Sequence, residues 1–323
     1  MVVLWCRESR DALASYDSVM SARPCPACGA DSAQTIGTIT AGQVVAGNTT
    51  YHADALMLLG IESSAPYDFA SCGVCRFVYA RELPAQEFLR SLYEEVIVPE
   101  RAAFESQSPG WVAHQLRLAA LLVERFPSAS RVHLLDFGCG YGTLVRAFRG
   151  PRVFCKGYEP AHAVVDALAN RGLDITTSMA DIDAAAPFDG VILSDVLEHV
   201  PEPRLALESC RALLKPGGWL AANVPDFGER RLRTVFDDLR HGRPTPPDLN
   251  PWEHLNYYTP ASLARVVEGA GFLVDTAATA DFGFRRSEGG MRAWMNGAMS
   301  AMRMARFIAS RRQTTTTILA QLR

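Results

Sequence analysis

The chain predicts an α/β fold: a parallel sheet with helices on both faces, preceded by a small cysteine-bearing module. Three observations carry this. From Arg131 onward, apolar strand-like runs alternate with amphipathic helical segments, as βαβ units require. The first of those runs leads straight into a turn with three glycines in five positions, Gly138, Gly140 and Gly142. Two C-x-x-C pairs stand earlier, in a stretch too small to bury a sufficient core of its own.

The elements follow in order. "CPACGA" supplies Cys25 and Cys28, and "CGVC" supplies Cys72 and Cys75. Between them "TIGTITAGQVV", rich in Thr, Val and Gly, is expected as short strands. "PAQEFLRSLYEEV" places Phe88, Leu89, Leu92, Tyr93 and Val96 on one helical face. "VPERAAFESQSPG" reads as a linker, and "WVAHQLRLAALLVERF" as a helix stopped by Pro127. The alternating region then opens with strand "VHLLDF", helix "GTLVRAF", strand "VFCKGYE" and helix "AHAVVDALANRG", stopped by Gly172. "LDITT" and "FDGVILSD" are strands, "PRLALESCRALLKPGG" a helix ended by Pro-Gly-Gly, and "WLAANVP" the fifth strand.

Residues 226–258 are polar, Arg-rich and then Pro-rich, and read as an insertion or lid. "TPASLARVVEGAGF" is a helix with Thr259 as N-cap, Pro260 in its first turn, and Gly269 and Gly271 closing it. "FLVDTAATADF" is a sixth strand, and either "GGMRAWM" or "TTTTILAQL" a seventh. Between those two, "NGAMSAMRMARFIASRR" is expected as an amphipathic helix that packs on the sheet or on a second copy in a homodimer. The chain thus divides into a cysteine module over 1–83, a helical linker over 84–130 and an α/β domain over 131–323.

Composition narrows the function. The formal net charge is −3 and basic runs are lacking, which argues against a nucleic-acid partner. The opening "MVVLWCRESRD" is not a signal peptide, and no apolar run reaches the length of a membrane span. A cytoplasmic setting is expected, where thiols stay reduced; eight cysteines then read as metal ligands or buried thiols rather than a disulfide framework. Cys139, Cys155 and Cys210 are expected to be buried and unreactive.

A glycine turn between strand and helix lets backbone amides approach a ligand. Here the spacing is G-x-G-x-G, and Thr143 stands where a dinucleotide fingerprint wants its third glycine. Asp136, at the strand end, would repel a pyrophosphate. Glu159, at the end of the next strand, stands where an acid binds ribose hydroxyls. Together they ask for a nucleoside without phosphate and with a cationic centre, which S-adenosylmethionine satisfies. In order and spacing, "LLDFGCGYGTL", "GYEP", "FDGVILSDVLEHVPEP" and "LLKPGGWLAANVP" resemble the core of class I S-adenosylmethionine-dependent methyltransferases, over about residues 131 to 282. The resemblance implies a seven-stranded Rossmann-like core. It puts Asp136, Gly138 and Gly140 beside the methionyl group, Glu159 on the ribose, Asp181 and Ile182 at the adenine, and Ser194 and Asp195 at the transfer centre. Asp183 is the alternative to Asp181.

C-x-x-C twice, with Pro and Gly in the first knuckle, is a tetrahedral zinc pattern over Cys25, Cys28, Cys72 and Cys75. A redox C-x-x-C and four unligated thiols are the other readings; neither pair has a thioredoxin-like context. Four thiolates leave no open position, so the zinc would be structural, and His52 would not be a ligand. Such a module before a class I core resembles the bacterial zinc-containing methyltransferases, sugar C-methyltransferases among them. "WEHLNYYTPASLARVVEGAGF" resembles their E-H-x-x-Y segment, and "EGGMRAWM" their Gly-Gly-x-x-Arg element.

That resemblance implies methyl transfer to a small-molecule acceptor, a sugar, nucleotide sugar or natural-product intermediate. His254 would be the general base, with Glu253 and Tyr257 orienting it; the other reading is that His254 pins the loop. His199 is a second histidine near the cofactor, expected to pack or line, and Trp252 and Tyr258 wall the substrate or anchor the insert. A nicotinamide-dependent oxidoreductase and a catalytically inactive binding protein are the rival functions.

Overall fold

The computed structural model describes residues 20–47, 56, 60–84, 109–168, 171–246, 248–275, 284–285, 312–313 and 315–322. Strand β1 (Met20–Ala22) leads into the first cysteine pair. β2 (Ala33–Thr40), helix α1 (Ala41–Gly47) and β3 (Pro66–Cys72) separate it from the second, and β4 (Val78–Ala80) and β5 (Glu82–Pro84) follow. α1 corrects an expectation, because "AGQVV" is helical rather than extended. The cause is a capping box: the Gln43 amide donates to Thr40 Oγ1 at 3.3 Å, and the Thr40 amide donates to Gln43 Oε1 at 2.9 Å.

After α2 (Pro109–Val123) the alternation begins. It runs β6 (Val132–Phe137), α3 (Thr143–Ala147), β7 (Val153–Tyr158), α4 (His162–Leu168), β8 (Ile175–Thr176), α5 (Met179–Ala185), β9 (Phe188–Ser194), α6 (Pro203–Ala212) and β10 (Leu214–Pro225). Then come α7 (Glu229–Arg240), β11 (Asn256–Tyr257), α8 (Pro260–Gly269), β12 (Phe272–Asp275), the short pair β13 (Phe284–Arg285) and β14 (Arg312–Gln313), and β15 (Thr315–Leu322). α8 starts as its sequence requires: Thr259 caps it, with Ser262 completing a capping box and Pro260 in the first turn.

The main sheet has seven strands in the order β12-β15-β10-β9-β6-β7-β8. β15 runs antiparallel between β10 and β12, so "TTTTILAQL" supplies the seventh strand. "GGMRAWM" and residues 296–311 of the Met-rich segment lie outside the described residues, as do His52, the opening residues, and most of the expected helix and linker over 84–110. Side chains alternate across this sheet as its pleat dictates. Leu134, Ile192, Ala221 and Leu319 meet Leu118, Ala119 and Leu122 of α2. Their neighbours Leu135, Leu193, Ala222 and Ile318 meet Leu207 and Cys210 of α6 and Leu263 and Val266 of α8. Both faces are buried, as a parallel sheet requires.

A second, antiparallel sheet has the order β11-β4-β3-β2. Its edge strand β11 comes from the 226–258 stretch, which also supplies α7. Leu232, Val235 and Phe236 of α7 pack with Ile39, Tyr67, Phe69, Trp252 and Tyr257. Cys25, Cys72, Phe77 and Tyr79 belong to the same apolar cluster as Leu197 and Leu263, so the cysteine module and the main sheet share one core. Cys139, Cys155 and Cys210 are buried. Among the described residues, no helix is long and apolar enough to cross a membrane.

Candidate active site and cysteine cluster

Strand order reverses at β6, with β7 on one side and β9 on the other, so a crevice opens at the carboxyl ends of these strands. Asp136 lies there, buried, and its carboxyl is pushed up to about 7 by burial and then by Glu159. Gly138, Gly140 and Gly142 have φ of 78°, 49° and 70°, all left-handed. A Cβ on Gly138 would come within 2.7 Å of Val196 Cγ2, whereas one on Gly140 would meet nothing within 4 Å. The loop therefore packs against the β9 side while Gly140 faces open space.

Glu159 spans that loop and the next. Its Oε2 accepts from the Gly140 amide at 2.9 Å, and its Oε1 accepts from the Ala161 amide at 3.0 Å. Asp181 sits in the first turn of α5, where its Oδ2 accepts from Thr176 Oγ1 at 2.7 Å. Ile182 beside it is fully buried, and Asp183 is exposed.

The other end of the crevice is built where β9 stops. Ser194 is buried at the strand end, and Asp195 has a φ of 52°, a strained value for a non-glycine residue. Asn223 holds it: the Asp195 amide donates to Asn223 O at 3.0 Å, and Asn223 Nδ2 donates to Asp195 Oδ1 at 3.2 Å. Burial pushes the Asp195 carboxyl up to about 7; Asn223 opposes the rise and Asp248 adds to it. Glu198 is pushed well above the carboxylate range, by burial and then by Asp195 facing it.

Two imidazoles close this end. The His199 and His254 rings lie edge to face, with centroids 4.8 Å apart. His199 Nδ1 is 2.8 Å from Glu253 O, and His254 Nδ1 is 2.9 Å from Asp248 O. The Glu253 carboxylate accepts from Asn250 Nδ2 at 2.8 Å. Of the two E-H dipeptides, 198–199 and 253–254, it is thus Glu198 whose carboxylate approaches the imidazoles, with Oε1 3.9 Å from His199 Nε2. The repeated dipeptide was the available signal for Glu198, and sequence alone does not say which of the two acids turns inward. Tyr257 packs its ring edge-on against Phe69 and Phe227, and its hydroxyl makes no hydrogen bond among the described residues. Burial, with Asp248 next, raises that hydroxyl well above its usual range. Trp252 and Tyr258 are fully buried, and Tyr258 Oη donates to Leu197 O at 3.2 Å.

A buried arginine from the amino-terminal part holds these loops together. Arg23 Nε donates to Ala80 O at 3.1 Å, Nη1 to Pro201 O at 2.7 Å, and Nη2 to Leu255 O and Asn256 Oδ1. Asn256 Nδ2 in turn donates to Leu197 O and Val200 O. The loop after β9 and the loop bearing His254 are thereby tied to β4.

The four paired cysteines converge. Cys25 Sγ is 3.6 Å from Cys75 Sγ, and Cys28 Sγ is 3.7 Å from Cys72 Sγ. These separations are far beyond a disulfide bond, and they are the edge lengths of a tetrahedron with metal–sulfur bonds of about 2.3 Å. Backbone turns set them: the Gly29 amide donates to Cys25 O, and the Arg76 amide to Cys72 O. The Cys75 amide points at Cys72 Sγ at 3.4 Å. The donor set fits a thiophilic ion.

The description "Methyltransferase domain" belongs to a family whose model matches residues 111–277, just over half of the chain. The chain belongs to this methyltransferase domain family. The ubiquinone biosynthesis O-methyltransferase of Coxiella burnetii is 34% identical over 96 residues, covering 27% of this chain and 41% of that protein. Its counterpart in Nitrobacter winogradskyi is 34% identical over 148 residues, covering 43% and 56%. The chain thus spans about half the length of the curated relatives it matches. A crystal structure of magnesium protoporphyrin IX methyltransferase from Synechocystis PCC 6803 with bound S-adenosylhomocysteine is 15% identical, with a TM-score of 0.46, covering 73% of this chain and 99% of that one. The methyltransferase match takes in the glycine loop, Glu159 and both histidines. The four cysteines lie ahead of it.

Proposed function

We propose that this methyltransferase domain carries a methyl group from S-adenosylmethionine to a small-molecule acceptor, a sugar, nucleotide sugar or natural-product intermediate, with His254 as the general base. The observation that carries the reading is the pairing of Gly140, which faces open space, with a Glu159 carboxylate 2.9 Å from its amide. When bound, the cofactor supplies a methyl carbon activated by a sulfonium. Asp136 and the loop amides hold the methionyl end, Glu159 takes the ribose hydroxyls, and Asp181 and Ile182 flank the adenine. Ser194 and Asp195 border the transfer centre.

Transfer by in-line displacement needs the acceptor atom aligned and water excluded. An acceptor hydroxyl or acidic carbon must also lose a proton. The hydrogen bond from His254 Nδ1 to a carbonyl leaves Nε2 with its lone pair, which suits a base. The relatives' O-methyltransferase names support oxygen as the receiving atom. Zn²⁺ in the four-cysteine cluster, with no open position, would staple the small sheet to the core. Calorimetry tests the reading directly. One S-adenosylhomocysteine per chain is expected, with no binding of NAD; no binding of the homocysteine nucleoside would overturn it.

A further inference from the structure

Glu198 serves none of the roles above. It is 1% exposed, and neither carboxylate oxygen has a well-formed hydrogen bond among the described residues, its surroundings being its own amide, the Asp195 carboxyl and His199 Nε2 at 3.9 Å. Burying a carboxylate in that condition is costly unless positive charge is supplied from elsewhere. Its neighbour Asp195 is a second carboxylate, whose Oδ2 is likewise buried without a hydrogen bond. Facing acids of this kind need a shared proton or a cation between them.

The two histidines supply the rest of a coordination shell. One ligand atom from each of Glu198, His199 and His254 lies within 4.8 Å of the other two. A backbone carbonyl only accepts, so the Nδ1 of each ring carries the proton toward Glu253 O or Asp248 O. Each Nε2 is left with its lone pair. This is how a protein presets imidazole as a metal ligand, with the outer carbonyl fixing tautomer and ring angle. Two imidazoles and a carboxylate are a donor set for a divalent first-row ion with open positions, zinc included.

We propose that Glu198, His199 and His254 form a binding site for one divalent metal ion, separate from the four-cysteine cluster. The site stands on its own geometry; its role rests on the reading of this end of the crevice as the acceptor end. An ion held there takes the Nε2 lone pair of His254, so the base role given above belongs to the metal-free protein. In the loaded protein His254 would be a ligand, and the ion would supply Lewis acidity to an acceptor oxygen in place of that base.

Mn²⁺ is the probe, because it favours oxygen and nitrogen over thiolate. Full-length protein is titrated with Mn²⁺, the free ion is read by electron paramagnetic resonance, and resident metals are counted by mass spectrometry. The expected result is one Mn²⁺ per chain beyond the zinc, or a resident second ion in the metal count that blocks Mn²⁺ until it is stripped. Affinity should fall at least tenfold in Glu198→Gln and in His199→Gln, each with an unaltered circular-dichroism spectrum. No second ion in the wild-type protein, or equal affinity in the folded variants, would overturn the site. S-adenosylhomocysteine calorimetry on the same samples separates the two readings: nucleoside binding without a second ion removes the metal site alone, whereas loss of nucleoside binding removes the methyl-transfer reading.

Discussion

Asp136 keeps its charge with difficulty, because it is buried and faces Glu159. Its carboxyl is neutral below about 7 and ionised above. A cationic methionyl ammonium prefers the ionised form, so affinity for S-adenosylhomocysteine should rise as pH increases from 6 to 8. The sign follows from linkage: the ligand favours the deprotonated group, so binding strengthens as protons leave. Calorimetry across that range should show the slope, and Asp136→Asn should flatten it. His254→Ala should lower turnover on a hydroxyl acceptor by about 10²–10⁴-fold while leaving nucleoside affinity within about twofold. Unchanged turnover would remove His254 from the chemistry. At this scale the sequence was uneven as a guide. The places of Asp136 and Glu159 at the ends of β6 and β7 were legible because the apolar runs stop there. The expectation that Glu253 orients His254 passed over Glu198; the Glu253 carboxylate turns to Asn250 instead, because only packing decides which acid meets the imidazoles.

Capping chemistry decides two of the helices. α8 was legible from Thr259 and Pro260, and the structure adds Ser262 to the box. α1 carries the same kind of signal in "TAGQ", but β-branched residues on either side suggested continued strand. Thr40→Ala should therefore cost about 1 kcal/mol, read as a lower denaturation midpoint, because it unmakes the reciprocal bonds with Gln43. The strands of the main sheet were legible from their apolar runs. The seventh was not, because a strand that enters antiparallel between two others has no local mark of that position. Only the pairing of Trp219 with Gln321 through Pro225 with Thr315 reveals it. β11 is a harder case: two residues of a polar insert join a sheet whose other strands lie far earlier in the chain.

The four-cysteine cluster is not an appendage, since Cys25 and Cys72 sit in the same apolar cluster as Leu197 and Leu263. Strong chelation should therefore lower the melting temperature of the whole chain in a single transition, by several degrees or more. Calorimetric scanning with and without chelator checks this; an early separate transition, with the remainder unmoved, would contradict the shared core. Cys28→Ser should reproduce the effect of the chelator.

Arg23 carries the same unity into time. Its partners Leu255 and Asn256 stand 232 and 233 residues downstream. At about 5–20 residues per second, a ribosome makes them roughly ten to fifty seconds after the arginine. Ala80 and Pro201, its other acceptors, are made 57 and 178 residues after it, so Nη2 is the last part of the guanidinium to find its partners, and until then His254 does not yet exist. A growing chain therefore carries its glycine turn more than a hundred residues before it carries the loop that Arg23 ties down.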